Sequence, residues 1–333
     1  MSRQGLSFIA WSPIGGRSEE IAGALGGEAW CVYRTGRLGK LSVLVRYAWS
    51  ALATVRYLRA RRPRAIIATN PPIFPGLIAH VYTRATGARL ALDSHPGGFG
   101  LQGDRVSRHL QPLHRWLARR ATTTLVADDR LAERVDRWGG QADIVHEAPI
   151  EWGTRSRRDV RARPRILFVC IFQRDEPVAE VIEAARRCPE LDVHVTGEVS
   201  KCPPALRRTA PPNVRFTGFL VGDDYRTAVL DADIVLALTT EPSSVVRAGY
   251  EAVYAERPLV VSDWPASRAV FPHALHVRHD PKKLAEGLRR AVSEHAQLSA
   301  VAVEARALQR SRWQDQLRAL KRRLTDTPTP DYA

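Results

Sequence analysis

Short runs of apolar, β-favouring residues alternate with helix-length stretches along the whole chain, and this alternation is the strongest constraint on its fold. In the first half the strand candidates are 6–12 (LSFIAWS), 28–34 (EAWCVYR), 65–70 (AIIATN), 88–95 (ARLALDSH) and 122–128 (TTTLVAD). Helical patterns fall near 17–25, 40–61, 75–86, 105–120 and 129–138. Several of the strand runs are almost continuously apolar, as strands of a parallel sheet covered on both faces must be. Residues 150–164 (IEWGTRSRRDVRARP) then lose all periodicity, are dense in Arg and end in Pro, which reads as a linker.

The pattern restarts at 165–172 (RILFVCIF), with a helix from Glu176 to Arg187 and further strands at 192–197, 213–219, 233–239 and 258–263. The final 40 residues read as helix, with Trp313, Leu317, Leu320 and Leu324 at three- and four-residue spacing, before a frayed TPTPDYA tail. The predicted class is α/β, with two doubly wound, Rossmann-like domains. Their expected extents are 1–150, a linker at 151–164, 165–310, and a C-terminal helix and tail at 311–333. Ligands in such sheets bind at the carboxyl ends of the strands, so the expected site is the cleft where two sheets face each other.

Charge narrows the function classes. The 333 residues carry 50 Lys and Arg against 35 Asp and Glu, a net +15. Nucleic acid, an acidic membrane surface or a phosphorylated substrate would each account for that excess. Only five of the 50 are Lys, a bias that genomic base composition also produces. The excess is uneven: residues 1–150 hold 21 basic and 11 acidic side chains (+10), and residues 151–333 hold 29 and 24 (+5). No nucleic-acid module or basic–aromatic interleaving is present, so nucleic acid is not the expected partner.

Four widely spaced cysteines (Cys31, Cys170, Cys188, Cys202) lack metal-ligand spacing, which points to reduced thiols, a cytoplasmic setting and no metal. The most apolar long stretch, 40–58, has nine residues between Arg46 and Arg56, short of the roughly 20 a spanning helix needs. Its aromatic and apolar residues (Leu44, Tyr47, Trp49, Leu52, Tyr57) precede a basic end at Arg56, Arg59, Arg61, Arg62 and Arg64. That arrangement suits docking on acidic lipid, and equally a core helix with a solvated basic tip.

Four places join a strand end, a polar or glycine loop and a helix start. In WSPIGGRSEE (11–20), Gly15 and Gly16 precede a helix that Ser18 could cap, offering backbone N–H groups to a phosphate. In LALDSHPGGFG (90–100), Asp93 and His95 end a strand, a pairing suited to hydrogen bonding or acid–base work. In CIFQRDEP (170–177), Arg174 follows the first strand of the second domain, and Asp175 and Glu176 suit the helix dipole. The fourth, ALTTEPSSVVRAGYEAVYAERPLVVSDWP (237–265), holds Thr240, Arg247, Gly249, Tyr250 and Glu251. Glu251 lies in the small, apolar run AGYEAV, where a carboxylate is costly without a partner; ribose hydroxyls would serve.

RAGYEAVYAERPLVVSDWP resembles the signature helix and following strand of family 4-type glycosyltransferases of the GT-B fold. The Gly15–Gly16 loop, the D-x-H at 93–95, FVCIF leading into a helix, the HVTGE turn at 194–198 and NVRFTGFL at 213–220 extend the likeness over nearly the whole chain. The resemblance implies a nucleotide-diphosphate sugar as donor, held mainly by the C-terminal domain and transferred with retention to an acceptor on the N-terminal side. It implies no further cofactor and no metal. Residue by residue, it assigns the donor ribose to Glu251, the transferred sugar to His95 beside Asp93, and the diphosphate and acceptor to Gly15 and Gly16.

The turns carrying Gly197, Lys201 and Phe219 fall in the donor side, Phe219 at the base. The family's first glutamate is replaced by Ser243, with Glu241 the nearest acid. Its Arg–Lys pair after the first C-domain strand is reduced to Arg174, with Lys201 the nearest Lys and Arg247 able to share the charge. The resulting expectation is a nucleotide-sugar-dependent hexosyltransferase acting on a lipid-linked or an anionic acceptor. A sugar-nucleotide epimerase or hydrolase of the same fold, or a basic nucleic-acid-binding protein, are the alternatives.

Overall fold

Each half of the chain builds a six-stranded sheet in which every neighbouring pair is parallel. The computed structural model describes residues 5–12, 15–33, 39–101, 105–153 and 159–325. The first half runs β1 (Leu6–Ala10), α1 (Gly16–Ala24), β2 (Glu28–Cys31), α2 (Gly39–Arg61), β3 (Ala65–Asn70) and α3 (Phe74–Thr86). It continues with β4 (Arg89–Ser94), α4 (Arg105–His109), α5 (Gln111–Ala118), β5 (Thr123–Val126), α6 (Asp129–Arg137) and β6 (Ala142–Ile144).

The second half runs β7 (Arg165–Phe168), α7 (Val178–Arg187), β8 (Asp192–Thr196), α8 (Pro204–Thr209), β9 (Val214–Gly218) and α9 (Gly222–Asp231). Then come β10 (Ile234–Ala237), α10 (Arg247–Tyr254), β11 (Leu259–Ser262), α11 (Pro265–Val270), β12 (Leu275–Val277), α12 (Pro281–Ser293) and α13 (His295–Thr325). The chain divides into two compact units, residues 1–148 with 312–333, and residues 149–311.

The strand orders are β2-β1-β3-β4-β5-β6 and β12-β11-β10-β7-β8-β9. In the N-terminal unit the order reverses at β1 and β3, and in the C-terminal unit at β7 and β10. Those are the points at which an open parallel sheet leaves a crevice beyond its carboxyl edge. Gly15 and Gly16 follow β1, Arg174 follows β7, and Thr240 follows β10.

Burial explains the apolar runs. All five residues of β1 are buried, and so are all of β5, β10 and β11. One face of the first sheet joins α2, α3, α5 and α6 through Leu58, Ala79, Leu117 and Val135. The other face takes α1, through Ile21 and Ala22, and the last turns of α13, through Leu317, Leu320 and Leu324. The second sheet is covered by α7 and α12 on one face, and by α9, α10 and α11 on the other.

Four details depart from the pattern read in the sequence. The stretch 105–120 is two helices rather than one, because Pro112 enters the first turn of α5 and cannot continue the preceding helix. β6 and β12 were not anticipated; each is a three-residue edge strand, too short to print a period. Ser18 does not cap α1: Gly15 is the cap residue, and the Ser18 hydroxyl donates to the Gly15 carbonyl at 2.5 Å. The rest of the proposed linker has neither helix nor strand, while residues 154–158 and the TPTPDYA tail lie outside the described residues.

Leu320 is fully buried beneath the first sheet although it lies near the end of the chain. Leu320→Ala should therefore cost about 2–5 kcal/mol, the range for truncating a core leucine. Urea denaturation measures it; a loss below about 0.5 kcal/mol, the usual range of surface substitutions, would place the helix end outside the core.

Candidate functional site

In the N-terminal unit the carboxyl edge of the sheet is organised by Arg17, in the first turn of α1. Its Nε and Nη2 donate to the Asp93 carboxylate at 3.2 to 3.3 Å, and Nη1 donates to Glu147 Oε1 at 3.1 Å. The same guanidinium donates to the carbonyls of Val145 and His146, at 2.7 and 2.9 Å. Asp93, at the end of β4, is buried, and His95 Nε2 lies 3.2 Å from its Oδ2 with about half of its own side chain exposed. Burial alone would raise the Asp93 pKa, but the Arg17 and His95 charges outweigh it and hold the carboxyl far below the usual range. For His95, desolvation disfavours the charged ring, and the Asp93 carboxylate overcomes it, raising the pKa.

The segment after His95 is fixed from behind. His114 Nδ1 is 3.0 Å from the Gly98 carbonyl and Nε2 is 3.0 Å from the Ser94 hydroxyl. Burial pushes the His114 pKa down to about 4, so the ring is neutral, donates from Nδ1 and accepts from Ser94. Asn70 Nδ2 donates to Ser94 Oγ at 3.3 Å, and a Cβ on Gly98 would stand 2.9 Å from that nitrogen. Only glycine lets the strand ends approach so closely.

In the C-terminal unit the corresponding edge gathers residues from several strand ends. Glu251, in the buried helix α10, does not stand alone: Tyr225 of α9 donates its hydroxyl to Oε2, and Arg247 Nε donates to Oε1 at 3.2 Å. Burial and the Glu251 charge together push the Tyr225 pKa up, so the phenol stays protonated and donating. The Thr240 N–H donates to the Asp175 carbonyl at 2.6 Å, and Thr239 Oγ1 donates to Asp175 Oδ2 at 3.3 Å, tying the β10 loop to the β7 loop. Ser262 Oγ lies 2.8 Å from His279 Nε2, within hydrogen-bond distance, and accepts the Thr239 N–H at 2.8 Å, while Trp264 Nε1 donates to the Thr239 carbonyl at 2.7 Å.

The remaining predicted residues take varied positions. Gly197 has φ +101°, and a Cβ there would meet the Cys170 carbonyl at 2.7 Å, so close approach of β8 to the β7 loop demands glycine. Gly249 lies against the Phe271 ring, 2.6 Å from where a Cβ would sit, and Tyr250 meets the same ring edge-on at 4.9 Å. Arg174 is exposed, and so is Phe219, beyond the edge strand β9. Lys201 pairs with Glu198 at 2.9 Å. The Glu241 N–H donates to Thr239 Oγ1 at 3.1 Å, which places that acid in the turn leaving β10.

Two family models cover this molecule: residues 8–150 match a glycosyl transferase 4-like domain and residues 174–322 a glycosyl transferase-like domain. The chain belongs to the family 4-type glycosyltransferases of the GT-B fold. Its backbone superposes on sucrose-phosphate synthase from Thermosynechococcus elongatus with a TM-score of 0.72, at 14% identity, over 96% of this chain and 97% of that one. Anabaena HepE, solved in complex with UDP and glucose, gives 0.71 at 15% identity over 97% and 99% of the two chains. A glycosyltransferase from Rickettsia africae gives 0.69 at 12% identity over 98% and 100%. No curated protein matches the sequence itself.

Sequence reasoning about this glycosyltransferase passed over Arg17, Tyr225, Asp175 as a loop tie, and His279. Arg17 did leave a signal: a cation in the first turn of a helix opposes the helix dipole and so requires a partner elsewhere. Tyr225 left none, because its partner is 26 positions away on another helix.

Replacing Arg17 by Met strands the buried Asp93 charge, an expected loss of about 3–5 kcal/mol in urea denaturation. Stability unchanged by that substitution would show that the carboxylate does not depend on the guanidinium. The raised His95 pKa has a definite sign: its contribution is complete below about pH 6.5 and is lost as the pH rises through the folded value. Wild-type stability should decline across that window, and His95→Ala should flatten the profile.

Proposed function

We propose that this glycosyltransferase moves a hexose from a nucleotide-diphosphate sugar to an acceptor held by the N-terminal unit, with retention and without a metal. The observation that carries the reading is the buried Glu251 carboxylate on α10, the helix whose sequence matches the family signature, held there by Arg247 of the same helix and Tyr225 of α9. The UDP and UDP-glucose complexes of HepE support a uridine-type donor.

In this scheme Glu251 accepts hydrogen bonds from the ribose hydroxyls, with Tyr225 and Arg247 holding the carboxylate in place. Arg247, Arg174 and the N–H groups that open α10 face the diphosphate, whose leaving charge is met by fixed donors in place of a divalent ion. The β8 and β9 turns, with Gly197, Lys201 and Phe219, border the base. On the N-terminal side, Gly15 and Gly16 offer backbone N–H groups, and His95 donates to a hydroxyl of the transferred sugar. Asp93 keeps the His95 ring ready to donate, and Arg17 acts as a positioning residue through Asp93.

The acceptor hydroxyl attacks the anomeric carbon on the face from which the diphosphate departs. The new C–O bond forms as the old one breaks, and the acceptor proton passes to a leaving phosphate oxygen. No strong protein base is needed. The buried thiols of Cys170, Cys188 and Cys202 support work in a reducing compartment such as the cytoplasm.

UDP and UDP-glucose should each raise the melting temperature of the full chain by linkage, whereas a non-nucleotide sugar should not. Glu251→Ala and His95→Ala should lower turnover by about 10²-fold or more, the scale for removing a group that contacts the transition state. Turnover should also survive EDTA. Near-wild-type transfer by both variants, or release of free sugar or an epimerised donor without acceptor, would displace this reading.

A further inference from the structure

Helix α2 packs on the sheet through Leu58, with Tyr57 and Ala51 beside it, yet it also turns hydroxyls inward and leucines outward. Its inward face buries Ser50 and Thr54, with Thr54 Oγ1 accepting from Trp11 Nε1 at 3.0 Å and donating to the Ser50 carbonyl at 2.7 Å. Its outward face carries Leu44 (70% exposed), Val45 (58%), Trp49 (42%) and Leu52 (50%). Val45, Ala48, Trp49 and Leu52 follow three- and four-residue steps, so they form one stripe, which continues as Arg56 and Arg59. Arg46 is the only charge from 43 to 55, and its guanidinium lies over the rings of Tyr33 and Tyr47, at 5.3 and 5.7 Å. A helix facing water carries the reverse pattern, with its hydroxyls outside and its leucines inside.

Beside this stripe, α2 and α3 enclose an apolar groove of about 860 Å³. Val55, Leu58, Ile78 and Tyr82 line it, with Arg59 and Arg62 among its walls, and Val81 beside it is 69% exposed. The charge of α2 and α3 has one sign; among the helices on this face of the sheet only α6, at its β5–β6 end, carries acids, Asp129, Glu133 and Asp136. Residues 29–92 contain eleven Lys and Arg and no Asp or Glu, and α4 and α5, on the same face of the sheet, contain no acid either. No acidic neighbour on these helices can neutralise Arg56, Arg59 or Arg62; Arg61 alone reaches back to Glu28, at 3.2 Å. No helix among the described residues is long and apolar enough to cross a membrane.

We propose that the outward face of α2, with the adjoining face of α3, docks on an anionic lipid bilayer. Leu44, Val45, Trp49 and Leu52 enter the headgroup–acyl boundary, and Arg56, Arg59 and Arg62 pair with lipid phosphates. Apolar insertion and headgroup attraction act together, and neither nucleic acid nor water offers partners for both halves of the stripe. The stripe begins in the first turns of α2, at the end of the helix nearer the carboxyl edge of the sheet, where Gly15 and Asp93 lie. Where the transferase reading holds, docking would bring the N-terminal carboxyl edge near a lipid-borne acceptor; the docking itself does not depend on that reading.

The test is co-sedimentation of the full chain with phosphatidylcholine vesicles and with vesicles of phosphatidylcholine and phosphatidylglycerol. Binding should be confined largely to the anionic vesicles and should weaken as salt rises. Leu44→Ser with Leu52→Ser, and separately Arg56→Glu with Arg59→Glu, should each weaken the partition at least ~10-fold while circular dichroism melts stay unchanged. Absence of binding to either vesicle, or wild-type binding by both variants, would overturn the proposal. So would a dimer in solution that only the leucine pair breaks, or binding to duplex DNA that the arginine pair abolishes while vesicle binding is absent. Vesicle binding needs no turnover, so its failure is separable from a failure of UDP to raise the melting temperature.

Discussion

Parallel pairing of every strand in both sheets is the constraint on which the rest of this molecule depends. Parallel strands need a long crossover for each return, so helices cover both faces and the strands become apolar throughout. Apart from a few buried hydroxyls such as Ser7, Thr123 and Thr124, polar side chains are thereby displaced to the carboxyl edge. Asp93, His95, Thr239, Ser262 and His279 all stand within two residues of the last residue of a strand. The order reversals at β1/β3 and β7/β10 then determine which of those ends open onto a crevice.

Burial at that edge makes the electrostatics decisive. Asp93 is ionised in a place that would otherwise neutralise it, because Arg17 supplies two donors and a full charge. The cost of holding that guanidinium at the positive end of a helix is offset by Asp93, Glu147 and two backbone carbonyls. In the C-terminal unit Glu251 is treated in the same way, with Tyr225 and Arg247 each occupying one oxygen. Both clusters fix the orientation of a buried carboxylate through hydrogen bonds from neighbouring side chains.

Much of this was legible in the sequence. The buried strands β3, β4, β7 and β10 announced themselves as apolar runs, and Gly15, Asp93, His95 and Glu251 stood out as polar or glycine residues at strand ends or within apolar helices. The edge strands β6 and β12 did not, since three residues at an edge carry no pattern. The break at Leu110 depended on Pro112, a signal the amphipathic run around it concealed. Gly197 read as a ligand residue, and the structure shows in addition a packing demand, since the Cys170 carbonyl occupies the space of a side chain.

The net charge of +15 likewise acquired a location. The sequence by itself determined the α/β class, the two doubly wound sheets, the family and the sign of the surface, because these follow from local periodicity, contiguous motifs and composition. Only the tertiary structure decided that Arg17 belongs to Asp93, 76 positions away, and that Tyr225 belongs to Glu251. It also decided that Leu44 and Leu52 of α2 point outward, while Ser50 and Thr54 turn inward on the side of Leu58. The reason is physical: periodicity specifies that a helix has two unlike faces, but which face meets the sheet is settled by long-range packing that no local window contains.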